Sequence, residues 1–309
     1  MNSTDSAIGA VNTFIKRIME LNSEGMVPTT FRGQKNEAWH ALPSIFRPDY
    51  EYAYKNEDFI VRDIVSAHPA EFESDKTMFD RLVRMQHYAL PTRLLDVTIN
   101  PLVALWFATE ENNEKRKISN GRYINKNTDG RLFIYYIPPH RKRYYDSDTV
   151  TCLSNLSNLK LDTKEEIIEL AFSLASSGLN EREMIAEFNK KTNYHVDQLF
   201  YQAGMEKSHF RKVINPKDLT NPIYVKPKMS NKRIIAQSGS FLLYPIHPHQ
   251  TKNYEGNDLD IKVETLIIQA GAKVKIRNQL SQLGIHAGSL FPEMDKASGY
   301  ILNQYINNF

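Results

Sequence analysis

An α+β fold is what this sequence predicts, and three observations carry that expectation. Extended segments rich in aromatic and β-branched residues lie around 131–137, 239–245 and 264–276, while a long stretch of helical periodicity, at about 153–211, stands between them. No Gly/Ser-rich linker brackets that helical block, so it reads as an insertion within one domain spanning 1–309. With 41% hydrophobic and 24% charged residues, the 309-residue chain can bury a full core, which excludes a disordered tail or a small disulfide scaffold.

The elements follow in order. Ile8, Val11, Ile15, Ile18 and Met19 recur at helical spacing, predicting a helix over about 6–21, with Ser3, Thr4 and Asp5 as capping candidates. Phe31-Arg32-Gly33 suits a strand end where backbone approaches something closely. Two helices are expected near 56–67 and 75–87. Thr92 to Val97 reads as a short extended segment between turns, and Pro101 opens a buried helix near 102–110, capped by Asn100 or Thr98. A strand is expected at 131–137, closed by Pro138-Pro139. Thr163 and Glu166 suggest a capping box for the next helix; Gly178 interrupts the pattern, which resumes at 181–190. Arg233 to Pro245 reads as a turn into a strand. Residues 264–276 predict a strand, a turn at Gly271 and a second extended piece. A helix beginning near Gln279 and a C-terminal helix over about 296–306 complete the chain.

Composition excludes several function classes. The single cysteine, Cys152, rules out intrachain disulfides and cysteine-based zinc sites. The longest uninterrupted apolar run is seven residues, too short for a membrane-spanning helix, and the N-terminal sequence lacks a secretory pattern, so a cytoplasmic location without membrane association is expected. No phosphate-binding loop, dinucleotide glycine fingerprint or HExxH motif is present. His247-Pro248-His249 is a poor metal motif, and no metal site is expected. Net charge is only +3. Yet Lys115-Arg116-Lys117, Arg122, Lys126, Arg131 and Arg141-Lys142-Arg143, with Tyr144-Tyr145, interleave cations with rings. Such a stretch can hold phosphates or form a solvated surface loop.

The densest motif runs from Gln86 through His87, Tyr88, Pro91, Arg93, Asp96 and Thr98 to Ala108. Together with Phe31-Arg32-Gly33-Gln34, Trp39-x-x-Leu42-Pro43-Ser44-x-x-Arg47, Ala236-Gln237-x-Gly239-x-Phe241 and Leu290-Phe291-Pro292-Glu293-Met294-Asp295, it resembles the FRG-domain family. That family in turn resembles a divergent branch of the ADP-ribosyltransferase superfamily. The resemblance implies a split β-sheet core with surrounding helices, clamping NAD as ADP-ribose donor, with no metal. It places Arg32 and Gly33 at the first dinucleotide-binding strand. Asp96 and Thr98 fall on the second, followed by Val103-Ala104-x-x-Phe107-Ala108, and Gln237 lies where a glutamate is usual.

On that basis Arg32, Gly33, His87, Tyr88, Asp96 and Thr98 are candidates for NAD binding, and Arg32, Thr98, Gln237, Glu264 and Glu293 for catalysis. A guanidinium can grip pyrophosphate bidentately, Tyr88 can stack on a ring, and His87 and Thr98 can bond ribose hydroxyls. Because an amide carries no charge, Gln237 leaves the carboxylate to Asp96, Glu264 or Glu293. Bland alternatives stand beside these roles: Arg93 pairing with Asp96, Tyr88 and Trp106 as core aromatics, and Glu293 as a helix cap. The implied function is a bacterial toxin or anti-phage effector that ADP-ribosylates RNA, DNA or protein. Nucleic acid is slightly favoured by the basic stretch, and an antitoxin would be the natural partner. Non-catalytic nucleotide sensing and RNA binding are the alternatives.

Overall fold

The computed structural model describes residues 8–22, 25–117, 122–190, 193–246, 260–294, 298–299, 302 and 305–306. The strands, in chain order, are β1 Thr30–Gln34, β2 Leu94–Thr98, β3 Asn113–Lys117, β4 Tyr123–Asn127, β5 Gly130–Tyr136, β6 Lys142–Tyr144, β7 Ile223–Lys226, β8 Gly239–Leu243 and β9 Lys262–Ile268. The helices are α1 Val11–Glu20, α2 Glu51–Lys55, α3 Glu57–Ala67, α4 Pro69–Phe72, α5 Met78–His87, α6 Pro101–Ala108, α7 Asp148–Asn155, α8 Leu161–Ala175, α9 Glu181–Phe188, α10 Tyr194–Glu206, α11 Lys232–Ala236, α12 Lys273–Gln282 and α13 Ala287–Leu290.

Seven strands form one mixed sheet in the order β6-β7-β8-β2-β1-β5-β9, and β3 and β4 form a separate two-stranded ribbon. The sheet is joined weakly at its middle. β1 pairs with β5 along all five of its residues, but with β2 only at Phe31↔Thr98. The four strands β6-β7-β8-β2 and the three strands β1-β5-β9 therefore behave as two ladders tied at one point.

Alternation along the strands distributes the cores. Leu94, Ile223, Val225, Phe241 and Leu243 pack under α3, α5 and the helices α7 to α10. Phe31, Leu132, Ile134, Leu266 and Ile268 pack under α1, α6 and α12. The opposite faces of both ladders contribute Leu95, Val97, Phe133, Tyr135 and Leu242 to a third cluster with Ile45 and Phe46. The helical block runs from 148, earlier than the expected 153, and shares its core with β7 and β8.

Several local expectations are corrected. α1 begins at Val11 because Ile8 is drawn into a parallel bridge with Ile268, extending the sheet. The expected caps Ser3, Thr4 and Asp5 lie outside the described residues, as do His247 and His249 and much of the predicted C-terminal helix. No Thr163–Glu166 capping box forms: α8 starts earlier, at Leu161, and the Thr163 amide donates to Asp162 Oδ1. The second extended piece after Gly271 is instead α12. Lys273-Val274-Lys275-Ile276 alternates like a strand, but Ile276 and Leu280 bury one helical face. Lys273 joins them because its buried Nζ donates to the Lys35 and Glu110 carbonyls.

Arg93 does not pair with Asp96. Adjacent strand residues three apart point to opposite faces, and Arg93 turns inward to Glu57 (Nε–Oε1 2.8 Å, Nη2–Oε2 2.5 Å), which also accepts from Lys164 Nζ at 2.7 Å. Burial opposes the charge on Glu57, yet Arg93 and Lys164 hold its carboxyl well below the ordinary carboxylate range. This buried triad ties α3, the start of β2 and α8 together.

Candidate active site

The site lies where β1 and β2 part. Beyond the Phe31↔Thr98 pair, the ladder bond is replaced by a side chain: Arg32 Nη1 donates to the Asp96 carbonyl at 2.6 Å. Arg32 Nε is buried with no hydrogen-bond partner. A guanidinium carries five N–H donors, so this one retains capacity for an anion. The resulting cleft of about 160 Å³ is lined by Arg32, Gly33, Asp96, Thr98 and Gln237, together with Phe107 and Arg233.

Each wall has a local cause. A Cβ on Gly33 would lie 1.8 Å from the Ala104 carbonyl oxygen and 2.6 Å from the Ala108 amide nitrogen. The glycine is thus demanded by α6, which packs its backbone against β1, and its expected role beside a ligand is not what fixes it. Asn100 caps α6 by accepting from the Leu102 amide. Thr98 is not the cap of α6: its Oγ1 accepts from the Asn100 amide and donates to the Gln237 carbonyl at 2.7 Å. Thr30 Oγ1 donates to the Thr98 carbonyl from the other ladder. The hydroxyls therefore add side-chain links between β1, β2 and the turn after α11 where the ladder itself contributes one pair.

Gln237 ends α11, and Ser238 after it adopts φ 48°. Gln237 Nε2 donates to the Leu290 carbonyl at 3.1 Å, which holds the amide at the cleft wall. Asp96 is the single carboxylate among the described lining residues. It is exposed, and its Oδ2 accepts from Gln86 Nε2 at 2.7 Å. Gln86 in turn accepts from Thr92 Oγ1.

A second depression of about 430 Å³ lies along the other side of α11, lined by His87, Tyr88, Glu293, Arg84 and Asn231. Such a volume suits a small-molecule site. His87 lines this second depression and feels charges from both spaces. Its pKa is lowered by burial first and by Arg233 second, while Asp96 and Glu293 act in the opposite sense. Asn231 Oδ1 accepts from the Arg233 amide, so its Nδ2 is the group that donates to His87 Nδ1 at 2.8 Å. The imidazole is therefore neutral, with its proton on Nε2.

Tyr88 is 65% exposed, which excludes a core role. Its hydroxyl reaches Glu71 only at 3.4 Å, and Ala89 after it has φ 62°. Among the described residues, Ala89 and Ser238 are the non-glycine positions with left-handed backbone, and each directly follows a candidate site residue. Conformations of this kind persist only where the surroundings impose them, and they gather at binding sites. Trp106, by contrast, is core, stacked under Arg277.

Glu264 stands apart. It faces Ile134 on β5, two strands from β2, and it lines neither space. Its strand position resembled a catalytic register in sequence, but β9 is the far edge of the sheet. Glu293 lies in the second depression and not in the cleft with Arg32.

Two participants, Arg233 and Asn231, escaped the sequence, and a neighbour of the site, Arg47, stood in a motif without an assigned role. Arg233 stacks on Phe291, with its guanidinium carbon 5.0 Å from the ring centroid, and lines the same cleft as Arg32. Arg47 has its pKa lowered by burial and by the neighbouring Arg32 charge. Asn231 holds His87. The Arg233-Ile234-Ile235 run reads simply as the entry to a strand, and only the fold of α11 reveals its direction. Arg47 lay inside a quoted motif, so that signal was available.

Residues 28–117 match the FRG domain. That segment runs from just before β1 through β3 and supplies Arg32, Gly33, His87, Tyr88, Asp96 and Thr98, whereas Arg233, Gln237 and Glu293 come from beyond it. No curated protein and no solved structure matches the chain.

Proposed function

We propose that the cleft between β1 and β2 binds NAD and transfers its ADP-ribose to a nucleophile on a macromolecule. The observation that carries this is the convergence of Arg32, Asp96, Thr98 and Gln237, from three separated chain segments, on one cleft where two β-ladders are tied at a single residue pair. The divided sheet is also what the resemblance to ADP-ribosyltransferases implies.

The residues fit the group. Arg32 and Arg233 face a common space, and two guanidiniums beside one carboxylate favour a dianionic pyrophosphate. The second depression, with Tyr88 exposed for stacking and His87 offering Nε2–H, can take a flanking ring or ribose. In the reaction the bond between ribose C1′ and the nicotinamide nitrogen breaks, and nicotinamide leaves with the electron pair. A nucleophilic oxygen or nitrogen of the acceptor bonds C1′ and gives up its proton to a carboxylate or water. Asp96 is the carboxylate placed to stabilise the oxocarbenium-like state, and Gln237 is confined to hydrogen bonding. A toxin or anti-phage role, restrained by an antitoxin, extends this proposal through the resemblance alone.

One observation favours a second reading. Gln237 Nε2 already donates to a backbone carbonyl, and a single carboxylate lines the cleft. A nucleotide-binding module without turnover would be built this way. The two separate in one experiment. With NAD labelled on its adenine, lysate and purified chain, transfer labels macromolecules and releases nicotinamide. Arg32→Ala should abolish the label and weaken NAD binding at least about tenfold, the scale of a lost charged hydrogen bond. Saturable NAD binding with no nicotinamide release would establish the non-catalytic module, and undiminished labelling by Arg32→Ala would refute the cleft.

A further inference from the structure

We propose that the β3–β4 ribbon is a docking surface for double-stranded nucleic acid. Residues 115–126 carry five cations, Lys115, Arg116, Lys117, Arg122 and Lys126, and no acid. This +5 segment exceeds the +3 of the whole chain, so the other 297 residues sum to −2. The positive charge of the protein is therefore concentrated in one small element, and bulk charge conceals it.

The element has the shape to use it. β3 and β4 pair over five residues, from Asn113↔Asn127 to Lys117↔Tyr123, and form their own sheet outside the main one. Lys115, Tyr123, Ile124, Asn125 and Lys126 are exposed. Glu114, the acid at the base of the ribbon, is directly opposite Lys126, and its Oε1 is engaged by Asn36 Nδ2 at 2.5 Å. A two-stranded ribbon is one of the few protein shapes that a B-form major groove, about 12 Å wide, admits. Lysines neutralise its phosphates, and Asn113, Asn125 and Asn127 offer the donor and acceptor pairs that base edges require. A lipid surface would have no use for those amides, and the ribbon has too little apolar area to insert.

The ribbon is rooted beside the cleft. Thr128 Oγ1 donates to the Lys35 carbonyl, and the Glu37 amide donates to the Asp129 carbonyl. Asn36, which holds Glu114, follows Arg32 by four residues, so the root lies within ~14 Å of that residue along the chain. A duplex seated on the ribbon is thereby presented to the cleft as acceptor. This presentation rests on the transfer reading; the docking itself does not.

The duplex-binding measurement therefore omits NAD. Fluorescence anisotropy with a labelled 20-base-pair DNA duplex should show affinity falling linearly in log–log fashion with salt. Lys115→Ala/Lys126→Ala should make that slope shallower by about 1.8, since each neutralised phosphate contributes about 0.9. Lys115→Arg/Lys126→Arg should restore the slope, and direct NAD titration should be the same for all three proteins. Arg32→Ala should bind the duplex as the parent does, which keeps failure of the cleft distinct from failure of the ribbon. An unchanged slope in the double alanine variant would overturn the proposal. So would tighter binding of the matching single strand, of anionic vesicles or of polyglutamate.

Discussion

Two arginines, both within the segment that matches the FRG domain, meet the same strand, one in the buried region at its start and one at the open seam, and are used in opposite ways. Arg93 is fully buried; besides Glu57 it reaches the Pro245 carbonyl at 2.7 Å and the Tyr244 carbonyl at 3.3 Å. Nearly all of its donors are satisfied inside the fold. Arg32, at the open seam, makes one side-chain hydrogen bond and leaves a buried Nε without a partner. A motif arginine that completes its bonding internally is architecture, and one that the fold leaves short of acceptors at a cleft is the one on which the proposed binding rests. The same contrast separates the two ladders: one buries its polar triad against the helical block, the other opens at its edge.

Replacing Arg93 should break the comparison most severely. Arg93→Met strands Glu57 in the core with only Lys164, and losing one partner of a buried ion pair costs about 3–5 kcal/mol. Urea unfolding should register that loss. Arg32→Met, measured alongside, should shift stability by less than about 1 kcal/mol, because its charge is already partly hydrated. Comparable losses for both would erase the distinction between anchor and site. The triad should also shape the acid limb of stability. Glu57 has a depressed pKa, so its contribution is complete above the unfolded carboxylate value and is lost as pH falls below it. Glu57→Gln should flatten that limb.

Gly33→Ala comes next. Its Cβ would meet backbone atoms of α6 that no rotamer change can move. Overpacking of this kind costs about 1–3 kcal/mol. It should displace α6 from β1 and weaken NAD binding together with stability, whereas Arg32 substitutions should weaken binding alone. A Gly33→Ala protein with parental stability would show that the helix and strand are less closely packed than 1.8 Å requires.

How much of this was legible beforehand follows from what each signal measures. Strands such as β5, and the helix α6 with its Asn100 cap, were readable because periodicity and capping are local. The Arg93–Asp96 pairing failed because spacing along a strand does not say which face is buried, and Glu57 is 36 residues away. α12 was misread because Lys273 looks exposed until the Lys35 and Glu110 carbonyls are brought to it. At the site, Arg32, Asp96, Thr98 and Gln237 were recognisable from motifs. Arg233 and Asn231 were not, since their contribution depends on a turn of α11 set by contacts with Phe291 and His87. Glu264 illustrates the reverse case: a plausible strand register, placed by topology at the wrong edge.

A smaller effect concerns His87. Its neutral form accepts from Asn231, and burial together with Arg233 lowers its pKa. In the unfolded chain the imidazole takes up a proton near its ordinary value, so this contribution to stability is present above that value and declines as pH falls through it. Protonation also turns Nδ1 into a donor facing another donor, which should loosen the Asn231 cap and the placement of Arg233. NAD binding should accordingly weaken on acidification below the ordinary imidazole value, where the folded protein takes up the proton. In His87→Gln, which retains an acceptor without titrating, isothermal titration should find a flatter profile. A parental pH dependence in that variant would assign the titration elsewhere.

The smallest expected change is the most discriminating. Ser238 holds a left-handed backbone at φ 48°, and its carbonyl accepts from the Ile99 amide at 3.1 Å. Glycine adopts that conformation without the steric penalty of about 1–2 kcal/mol borne by other residues, but it also gives the unfolded chain more freedom. Ser238→Gly should therefore leave stability within about 1 kcal/mol of the parent. If the strain exists to aim Gln237 and the Thr98 hydroxyl at the cleft, the glycine variant should bind NAD more weakly despite its intact fold. If the conformation only serves the turn into β8, binding should be untouched. A stable protein with impaired binding would show that the seam between the ladders is tensioned for its ligand, in contrast to the relaxed, internally satisfied region around Arg93.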